Sequence, residues 1–187
     1  MTIGFALCGS FCTFDKAFPA MEALATHHKI IPIFSQAAGS TDTRFGTAEA
    51  HLQRAEEICG TAPILTIDQA EPIGPKKLLD ALVIAPCTGN TLAKLAHSIA
   101  DSPVTMAAKS HLRNGRPILI GVSTNDALAG AAENIGKLLG HKHYYFIPFG
   151  QDDPYNKPTS MVADFTQLLP ALEAAIAGRQ VQPLLIS

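Results

Sequence analysis

The stretch that most constrains this chain covers residues 81–101, which read ALVIAPCTGNTLAKLAHSIAD. Five apolar residues at 81–85 are typical of a strand buried on both faces, and Pro86 is expected to end that strand. A turn of small polar residues follows at 88–91. A helix is predicted after it, because apolar side chains recur at i, i+3, i+4 and i+7. The residues of this stripe are Leu92, Leu95, Ala96 and Ile99.

This strand–turn–helix unit is expected to bind an anion. The first N–H groups of a helix have no partner within the helix, and the helix dipole favours negative charge at that end. We therefore predict that the turn holds a phosphate-bearing cofactor. An ordinary turn capped by Thr88 or Asn90 has the same spacing, so the spacing leaves both interpretations open.

The length of 187 residues is that of one domain, predicted to span residues 1–187. Charged residues make up only 16%, against roughly 25% in typical domains. An oligomer that hides part of its surface would explain this low fraction, and a high alanine content would explain it equally. The net charge of −2 gives no indication of a nucleic-acid partner. No apolar run approaches the roughly 20 residues that span a bilayer, and no basic signal-peptide start is present, so no membrane association and a cytoplasmic location are expected.

The four cysteines, at positions 8, 12, 59 and 87, have neither metal-ligand nor disulfide spacing. We predict free thiols and no metal site. The histidines form no Ser-His-Asp arrangement that spacing supports, so the sequence leaves the catalytic residues unknown.

The chain opens with an apolar run at residues 3–8, broken by Gly9 and Ser10. A helix is predicted from Phe14, so this is a β-turn-α unit whose backbone N–H groups and hydroxyls could cradle a phosphate. A tight turn that needs a glycine would look the same. Neither a Gly-x-Gly-x-x-Gly nor a Walker motif is present, which argues against a standard dinucleotide or nucleoside triphosphate site.

A second strand is predicted at residues 30–34 and ends at Ser35, before a polar loop at 36–46. Loops at the carboxyl ends of parallel strands are where α/β folds bind ligands. Arg44 in this loop has the forked guanidinium that suits a carboxylate, although a solvated loop arginine is an equal alternative.

Further strands are predicted at residues 64–67, 117–122 and 144–147, and helices at 47–58, 103–113, 127–139 and 162–177. The turn-rich segment 150–160 is long for a connector, which indicates a lid or an interface arm. The apolar tail at 179–187 is expected to pack on a neighbouring protomer. Alternating strands and helices predict an α/β fold with a doubly wound parallel sheet of about six strands, a Rossmann- or flavodoxin-like three-layer sandwich. Its strand ends at 9–10, 35 and 86–91 would converge at the switch point, which suits FMN better than NAD.

Residues 86–91 (PCTGNT), 93–96 (AKLA) and 99–101 (IAD) resemble the Pro-x-Ser-Ala-Asn-Thr and Asp-Asn-Leu block of the flavoprotein superfamily. That superfamily contains phosphopantothenoylcysteine decarboxylase, cysteine decarboxylases and flavin prenyltransferase. Thr88 stands where the family usually has Ser, Gly89 where it has Ala, and Ser102-Pro103 replaces Asn-Leu. The resemblance implies bound FMN. The cofactor-binding residues predicted with it are Gly9, Ser10, Ser35, Pro86, Thr88, Gly89, Asn90, Thr91 and Ser123.

Longer strings, at 40–46 (STDTRFG), 101–104 (DSPV), 122–128 (VSTNDAL) and 146–154 (FIPFGQDDP), are similar to the B-subunit family of bacterial dipicolinate synthases. This resemblance implies oxidation of dihydrodipicolinate to dipicolinate together with an NADP-dependent A subunit, in the mother cell during endospore formation. Arg44 and Lys109 would then bind the carboxylates of the dicarboxylate substrate. The resemblance also implies a homo-oligomer, based on trimers, with a B subunit that pairs mainly with the A subunit as the alternative.

The superfamily decarboxylases place a catalytic His near the second or third strand and a Pro-x-Met-Asn motif after the fifth. Here residues 121–125 read GVSTN, and the nearest histidine, His51, lies in a predicted helix. These departures argue against decarboxylase activity. Two alternatives to the synthase subunit are a flavin-free scaffolding component of the same complex and a stand-alone FMN-dependent decarboxylase or prenyltransferase.

Overall fold

The computed structural model describes residues 1–186 and contains a mixed sheet of seven strands. Five strands are parallel, in the spatial order β2-β1-β3-β4-β5. Their bounds are β1 Thr2–Leu7, β2 Lys29–Phe34, β3 Ala81–Cys87, β4 Ile118–Thr124 and β5 Tyr144–Phe146. All residues of β3 are buried, because this central strand is covered on both faces. The predicted doubly wound α/β fold is confirmed.

Two short antiparallel strands, β6 (Phe149–Gly150) and β7 (Met161–Ala163), extend the sheet beyond the parallel part. β7 pairs with the end of β4 at Ser123 and Thr124, whereas β5 pairs only with 118–120. The three-residue β5 is too short to satisfy the whole edge of the seven-residue β4, so the backbone groups at 123–124 need another partner. The sheet is therefore mixed rather than wholly parallel.

Eight α-helices flank the sheet in the part of the chain that the structure describes. They are α1 Phe14–Ala25, α2 Gln36–Ser40, α3 Ala48–Cys59, α4 Ile67–Ala70, α5 Gly89–Ala96, α6 Pro103–Leu112, α7 Ala132–Leu139 and α8 Leu168–Ile176. Short 3-10 turns cover residues 11–13, 71–73 and 165–167. No helix within residues 1–186 has the length and apolar character to cross a membrane.

Several local predictions were wrong. The strand at 64–67 is reduced to one bridge between Ile64 and Ile33, and α4 begins at Ile67. The loop at 36–46 contains the short helix α2. The helix predicted at 162–177 begins at Leu168, because residues 161–163 pair with β4. Pro170 lies in the first turn of α8, where a missing N–H costs nothing.

One expectation about a strand end also differs from the structure, and packing of the tail on a neighbouring protomer stays a prediction. Pro86 does not end β3, and its carbonyl accepts a hydrogen bond of 3.2 Å from the N–H of Cys8. The C-terminal tail packs on its own chain: the Phe149 N–H donates to Leu184 O at 3.0 Å, and the Ile186 N–H donates to Phe149 O at 3.2 Å. Residue 187 lies outside the described residues.

The close approach of β3 and β4 gives a first testable prediction. A Cβ on Gly121 would lie 2.8 Å from the Cβ of Ala85, which the strand backbone holds in place. We expect Gly121→Ala to lower the free energy of unfolding by about 1–3 kcal/mol, because the buried site is overpacked. Gly136→Ala is the control: nothing lies within 4 Å of its Cβ position on the exposed face of α7, so stability should rise by about 0.5–1 kcal/mol. Urea unfolding measures both, and equal stability of the two variants would contradict the packing argument.

Candidate functional site

The candidate site lies at the carboxyl ends of the parallel strands. The chain connects β1 to its neighbour β2 on one side of the sheet and β3 to its neighbour β4 on the other side. The direction of the connections therefore reverses between β1 and β3, which is the switch point. Open α/β sheets bind ligands in the crevice at such a point. The turn after β1 contains Gly9 and Ser10, and the turn after β3 begins at Thr88. Two adjoining clefts meet here, and Gly9 and Thr88 line both of them.

The first cleft, called the cap cleft below, has a volume of about 620 Å³. Its lining residues are Gly9, Ser35, Gln36, Ala37, Ser40, Thr41, Thr88, Asn90, Thr91, Lys94, Asp101 and Ser102. Five of the predicted cofactor-binding residues are thus brought together, from three separate turns.

Three hydroxyl residues in the cap cleft are helix N-caps. Ser35 accepts a hydrogen bond from Ala38 N at 3.2 Å and caps the short α2. Thr88 caps α5 by accepting from Thr91 N, and Ser102 caps α6 by accepting from Thr105 N. The N-termini of α5 and α6 therefore both face one cleft. Their dipoles and outer N–H groups make the cap cleft suited to an anion.

The ionised side chains of the cap cleft form a pair. Lys94 Nζ lies 2.9 Å from Asp101 Oδ1, and the hydrogen bond from Lys94 lowers the pKa of the Asp101 carboxyl. Because this pair is neutral overall, the two helix N-termini set the sign of the potential in the cleft. Ser102, Lys94 and Asp101 were not among the predicted site residues, although Ser102 is recognisable in the sequence as an N-cap before a proline.

Gly89, where the resemblance has alanine, is explained by what lies beside the first turn of α5. A Cβ there would lie 2.7 Å from Asp126 Oδ1 and 2.9 Å from Thr124 Oγ1. Thr124 donates its hydroxyl proton to Asp126 Oδ1 at 2.5 Å, which fixes the carboxylate in that position. The carboxylate of Asp126 therefore lies beside the first turn of α5. The cap cleft lies on the side of this turn where Ser35 and Ser102 are found.

The second cleft, called the arginine cleft below, has a volume of about 460 Å³. Its lining residues are Gly9, Ser10, Phe11, Cys12, Thr43, Arg44, Phe45, Thr88, Ser123, Thr124 and Asn125. The guanidinium of Arg44 lies 4.9 Å from the centre of the Phe45 ring. Arg44 is exposed and has no carboxylate partner within residues 1–186, so it is free to bind an anionic ligand.

Three hydroxyl groups form a closed cluster at the base of the arginine cleft. Ser10 Oγ lies 2.8 Å from Ser123 Oγ, and Thr13 Oγ1 lies 2.9 Å from each of them. Ser10 and Ser123 are 113 residues apart in the chain, yet both were predicted cofactor-binding residues. Thr13, which follows in the same turn, was not among the predicted site residues.

Three predicted site residues line neither of these clefts: Pro86, Gly89 and Lys109. Pro86 is buried within β3 and lines neither cleft. Lys109 lies on α6 and lines a separate cavity of about 380 Å³ together with Arg113 and Tyr144. The structure therefore brings Arg44 to the candidate site and leaves Lys109 away from it.

The segment at 150–160 lies beside the arginine cleft. Thr159 Oγ1 donates to the carbonyl of Asn125 at 2.6 Å, and Asn125 lines that cleft. Lys157 pairs with Asp152 at 3.2 Å within the segment, while Tyr155 is 94% exposed. Whether it acts as a lid or an interface arm stays a prediction.

The thiols give a second testable prediction. Cys12 is exposed and lines the arginine cleft, whereas Cys8 and Cys87 are buried. Burial raises the pKa of Cys59 to about 12, so this thiol stays protonated and unreactive at neutral pH. We expect a thiol reagent to label one cysteine of the native chain at pH 8 and four after denaturation. Cys12→Ser should abolish the native labelling, and labelling that persists in this variant would contradict the arrangement.

Within the part of the chain that is described, no three acidic, histidine or cysteine side chains are grouped so that they could hold a metal ion. No catalytic acid or base can be assigned from the contacts of either cleft.

Comparison with known proteins gives the family. Residues 1–139 match the Flavoprotein family model. The chain is 46% identical over 185 residues to the B subunit of dipicolinate synthase from Bacillus subtilis (strain 168), covering 98% of this chain and 92% of that protein.

Solved structures agree with the sequence comparison. The crystal structure of the B subunit of dipicolinate synthase from Bacillus halodurans C is 44% identical with a TM-score of 0.91, and the match covers 100% of this chain and 96% of that one. The FMN-dependent cysteine decarboxylase SpaF shares the fold, with a TM-score of 0.66 at 22% identity over 94% of this chain and 97% of the other. The chain is therefore a member of the Flavoprotein family, in the group of dipicolinate synthase B subunits.

Proposed function

We propose that this chain acts as the B subunit of a dipicolinate synthase, with FMN bound in the cap cleft and a dicarboxylate in the arginine cleft. The observation that carries the proposal is that the two clefts adjoin at Gly9 and Thr88, one facing two helix N-termini and the other carrying Arg44. A phosphate group and a substrate carboxylate would thus be held side by side. The names of the relatives support dipicolinate as the product.

The cap cleft fits the phosphate end of FMN. Two helix N-termini and the hydroxyls of Ser35 and Thr88 offer N–H and O–H donors to phosphate oxygens. Gly9 lines the cap cleft without a side chain, so its backbone can approach a ligand closely. Asn90 and Thr91, which also line the cap cleft, would contact the ribityl chain. When bound, FMN would supply the redox chemistry of its ring.

Arg44 would orient the substrate. Its guanidinium can bind one carboxylate with two parallel hydrogen bonds, which fixes both position and plane. The rings of Phe11 and Phe45 line the same cleft and offer apolar surface to the body of a cyclic dicarboxylate. Oxidation of dihydrodipicolinate removes a hydride and a proton, and NADP held by the A subunit would be the final acceptor. Chain residues in the arginine cleft would position the substrate for that transfer.

The same proposal gives the chain its partners and its place in the cell. It would bind the A subunit of the synthase, form a homo-oligomer based on trimers, and function in the cytoplasm of the mother cell of a sporulating bacterium. The designation of the relatives as B subunits supports the partner. Co-expression of the two proteins and co-purification would test it, and two proteins that elute separately at micromolar concentration would contradict it.

A flavin-free component that completes the active site of the A subunit is the second candidate. It is favoured by the Asp126 carboxylate beside the first turn of α5, which opposes a phosphate on that side.

One measurement separates these functions: the absorbance spectrum of the purified chain before and after incubation with excess FMN and desalting. A flavin band close to one FMN per chain is the expected result. A colourless chain that does not retain FMN would reject the flavin proposal and favour the second candidate. Decarboxylation or prenyl transfer without any partner would instead favour the stand-alone enzyme.

A further inference from the structure

The turn that carries Arg44 rests on a buried histidine. Gly46, at the end of this turn, has a φ of +133°. A Cβ on Gly46 would lie 2.8 Å from Cε1 and 2.9 Å from Nε2 of His51, which is only 8% exposed. The imidazole is therefore packed directly against the backbone of the turn, and only glycine leaves room for it.

His51 is held between two aromatic rings of α1. Its ring centre lies 4.8 Å from that of Phe14, edge to face, and 5.8 Å from that of Phe18, stacked. An apolar side chain would fill the space between these rings without burying a polar nitrogen atom. Yet Nε2 of His51 is buried and has no hydrogen-bond partner. Since buried polar atoms are almost always hydrogen-bonded, this nitrogen requires an explanation beyond core packing.

The turn itself is a stiff unit. The Thr43 N–H donates to Gly46 O at 3.0 Å, and the Gly46 N–H donates back to Thr43 O at 3.1 Å. Asp42 Oδ1 accepts from Ala48 N at 2.8 Å, which fastens the start of the turn to the first residue of α3. Residues 42–46 are thus fixed at one end by α3 and supported at the other by His51. A shift of the imidazole would move the whole turn and Arg44 with it.

We propose that His51 is the positioning residue of the Arg44 turn: it holds the guanidinium where a substrate carboxylate binds in the arginine cleft. This inference rests on the proposed function, in which Arg44 binds the dicarboxylate. His51 does not line either cleft, so it acts through the turn rather than by touching substrate.

Protonation of His51 would disturb this support. Burial and the nearby charge of Arg54 lower the pKa of His51 from its ordinary value of 6.5, so the ring is neutral at pH 7. The groups around His51 would not stabilise a positive charge on its ring. The rings of Phe14 and Phe18 on α1 are uncharged, and Arg54 on α3 is itself positive. The turn carries Arg44, together with Asp42, whose carboxylate already accepts from α3. When the pH falls through this lowered pKa, a positive imidazole would therefore push against the turn, and dicarboxylate binding should weaken.

The test is calorimetric titration of dipicolinate into the full-length chain, alone and in complex with the A subunit. We expect His51→Ala to weaken dipicolinate binding by about tenfold at pH 7.5, because the guanidinium loses its fixed position. FMN retention should not change, since the cap cleft does not involve this turn. His27→Ala, at an exposed histidine, is the matched control and should bind dipicolinate like the native chain.

A second variant separates positioning from simple packing. His51→Gln keeps a polar atom near the place of Nε2 and carries no charge at any pH. It should bind within about twofold of the native chain at pH 7.5 and lose less affinity than the native chain as the pH is lowered through the pKa of His51. If His51→Ala does not fold, the pH dependence of dipicolinate binding by His51→Gln is sufficient as the test. A loss of affinity at low pH as large as that of the native chain would overturn the inference.

Arg44→Ala, measured in parallel, distinguishes the two levels of the argument. If Arg44→Ala weakens dipicolinate binding and His51→Ala does not, His51 has no positioning role and the proposed function stands. If Arg44→Ala binds normally, the role of Arg44 fails, and the inference about His51 fails with it.

Discussion

Replacing Thr88 with aspartate should abolish FMN binding while leaving the fold intact. Aspartate is as good an N-cap as threonine, and its charge is favourable at a helix N-terminus, so α5 should keep its cap. The new carboxylate would, however, face the cap cleft that Thr88 lines. Two like charges 4 Å apart repel by about 4 kcal/mol at an effective dielectric constant of 20. We expect FMN affinity to fall by more than about 100-fold, measured by fluorescence titration.

Thr47→Asp provides a matched control for this experiment. Thr47 caps α3 in the same way, accepting from Ala50 N at 3.2 Å, but it lines neither cleft. This variant should bind FMN like the native chain, and both variants should unfold close to the native temperature. Undiminished FMN binding by a folded Thr88→Asp chain would exclude the cap cleft as the phosphate site.

Replacing Arg44 with alanine should weaken binding of dipicolinate about 10- to 100-fold, because a hydrogen bond between two charged groups contributes about 1.5–3 kcal/mol. Arg44 is exposed and has no ion-pair partner within residues 1–186, so the free energy of unfolding should change by less than about 0.5 kcal/mol. FMN retention should also stay unchanged. Calorimetric titration and urea unfolding measure these quantities on the same samples.

Lys109→Ala is the control for the arginine variant. Arg44 and Lys109 were both predicted to bind the substrate carboxylates, but Lys109 faces another cavity. Dipicolinate binding by Lys109→Ala should therefore match the native chain. A loss of affinity in this variant, with normal binding by Arg44→Ala, would move the carboxylate site to α6.

The parallel strands at the centre of the sheet were predictable because each is encoded locally. Continuous apolar runs at 3–8, 30–34, 81–85 and 117–122 indicate strands buried on both faces, and the turns after them end in small polar residues. Capping is also local, so Thr88 and the Ser102-Pro103 helix start could be recognised from their own neighbours. Since parallel strands end at one edge of a sheet, these turns could be expected to meet.

The errors fall where a segment takes its structure from a distant partner. Residues 161–163 continue an apolar pattern that runs into α8, and they form a strand only because the end of β4 offers unpaired backbone groups. The tail at 184–186 likewise forms backbone hydrogen bonds with Phe149, which is far from it in sequence. Short strands carry too few residues for periodicity to distinguish them from helix.

The sequence by itself determined the fold class, the switch point and the hydroxyl-capped turns, because strand burial, periodicity and capping depend on residues close together in the chain. Only the tertiary structure decided that Ser10 meets Ser123, that Gly89 accommodates Asp126, and that Arg44 rather than Lys109 joins the site. The physical reason is that a cation in a loop and a cation on a helix look alike in sequence. Their distance from a ligand is set by how helices pack on the sheet, which depends on contacts between residues far apart in the chain.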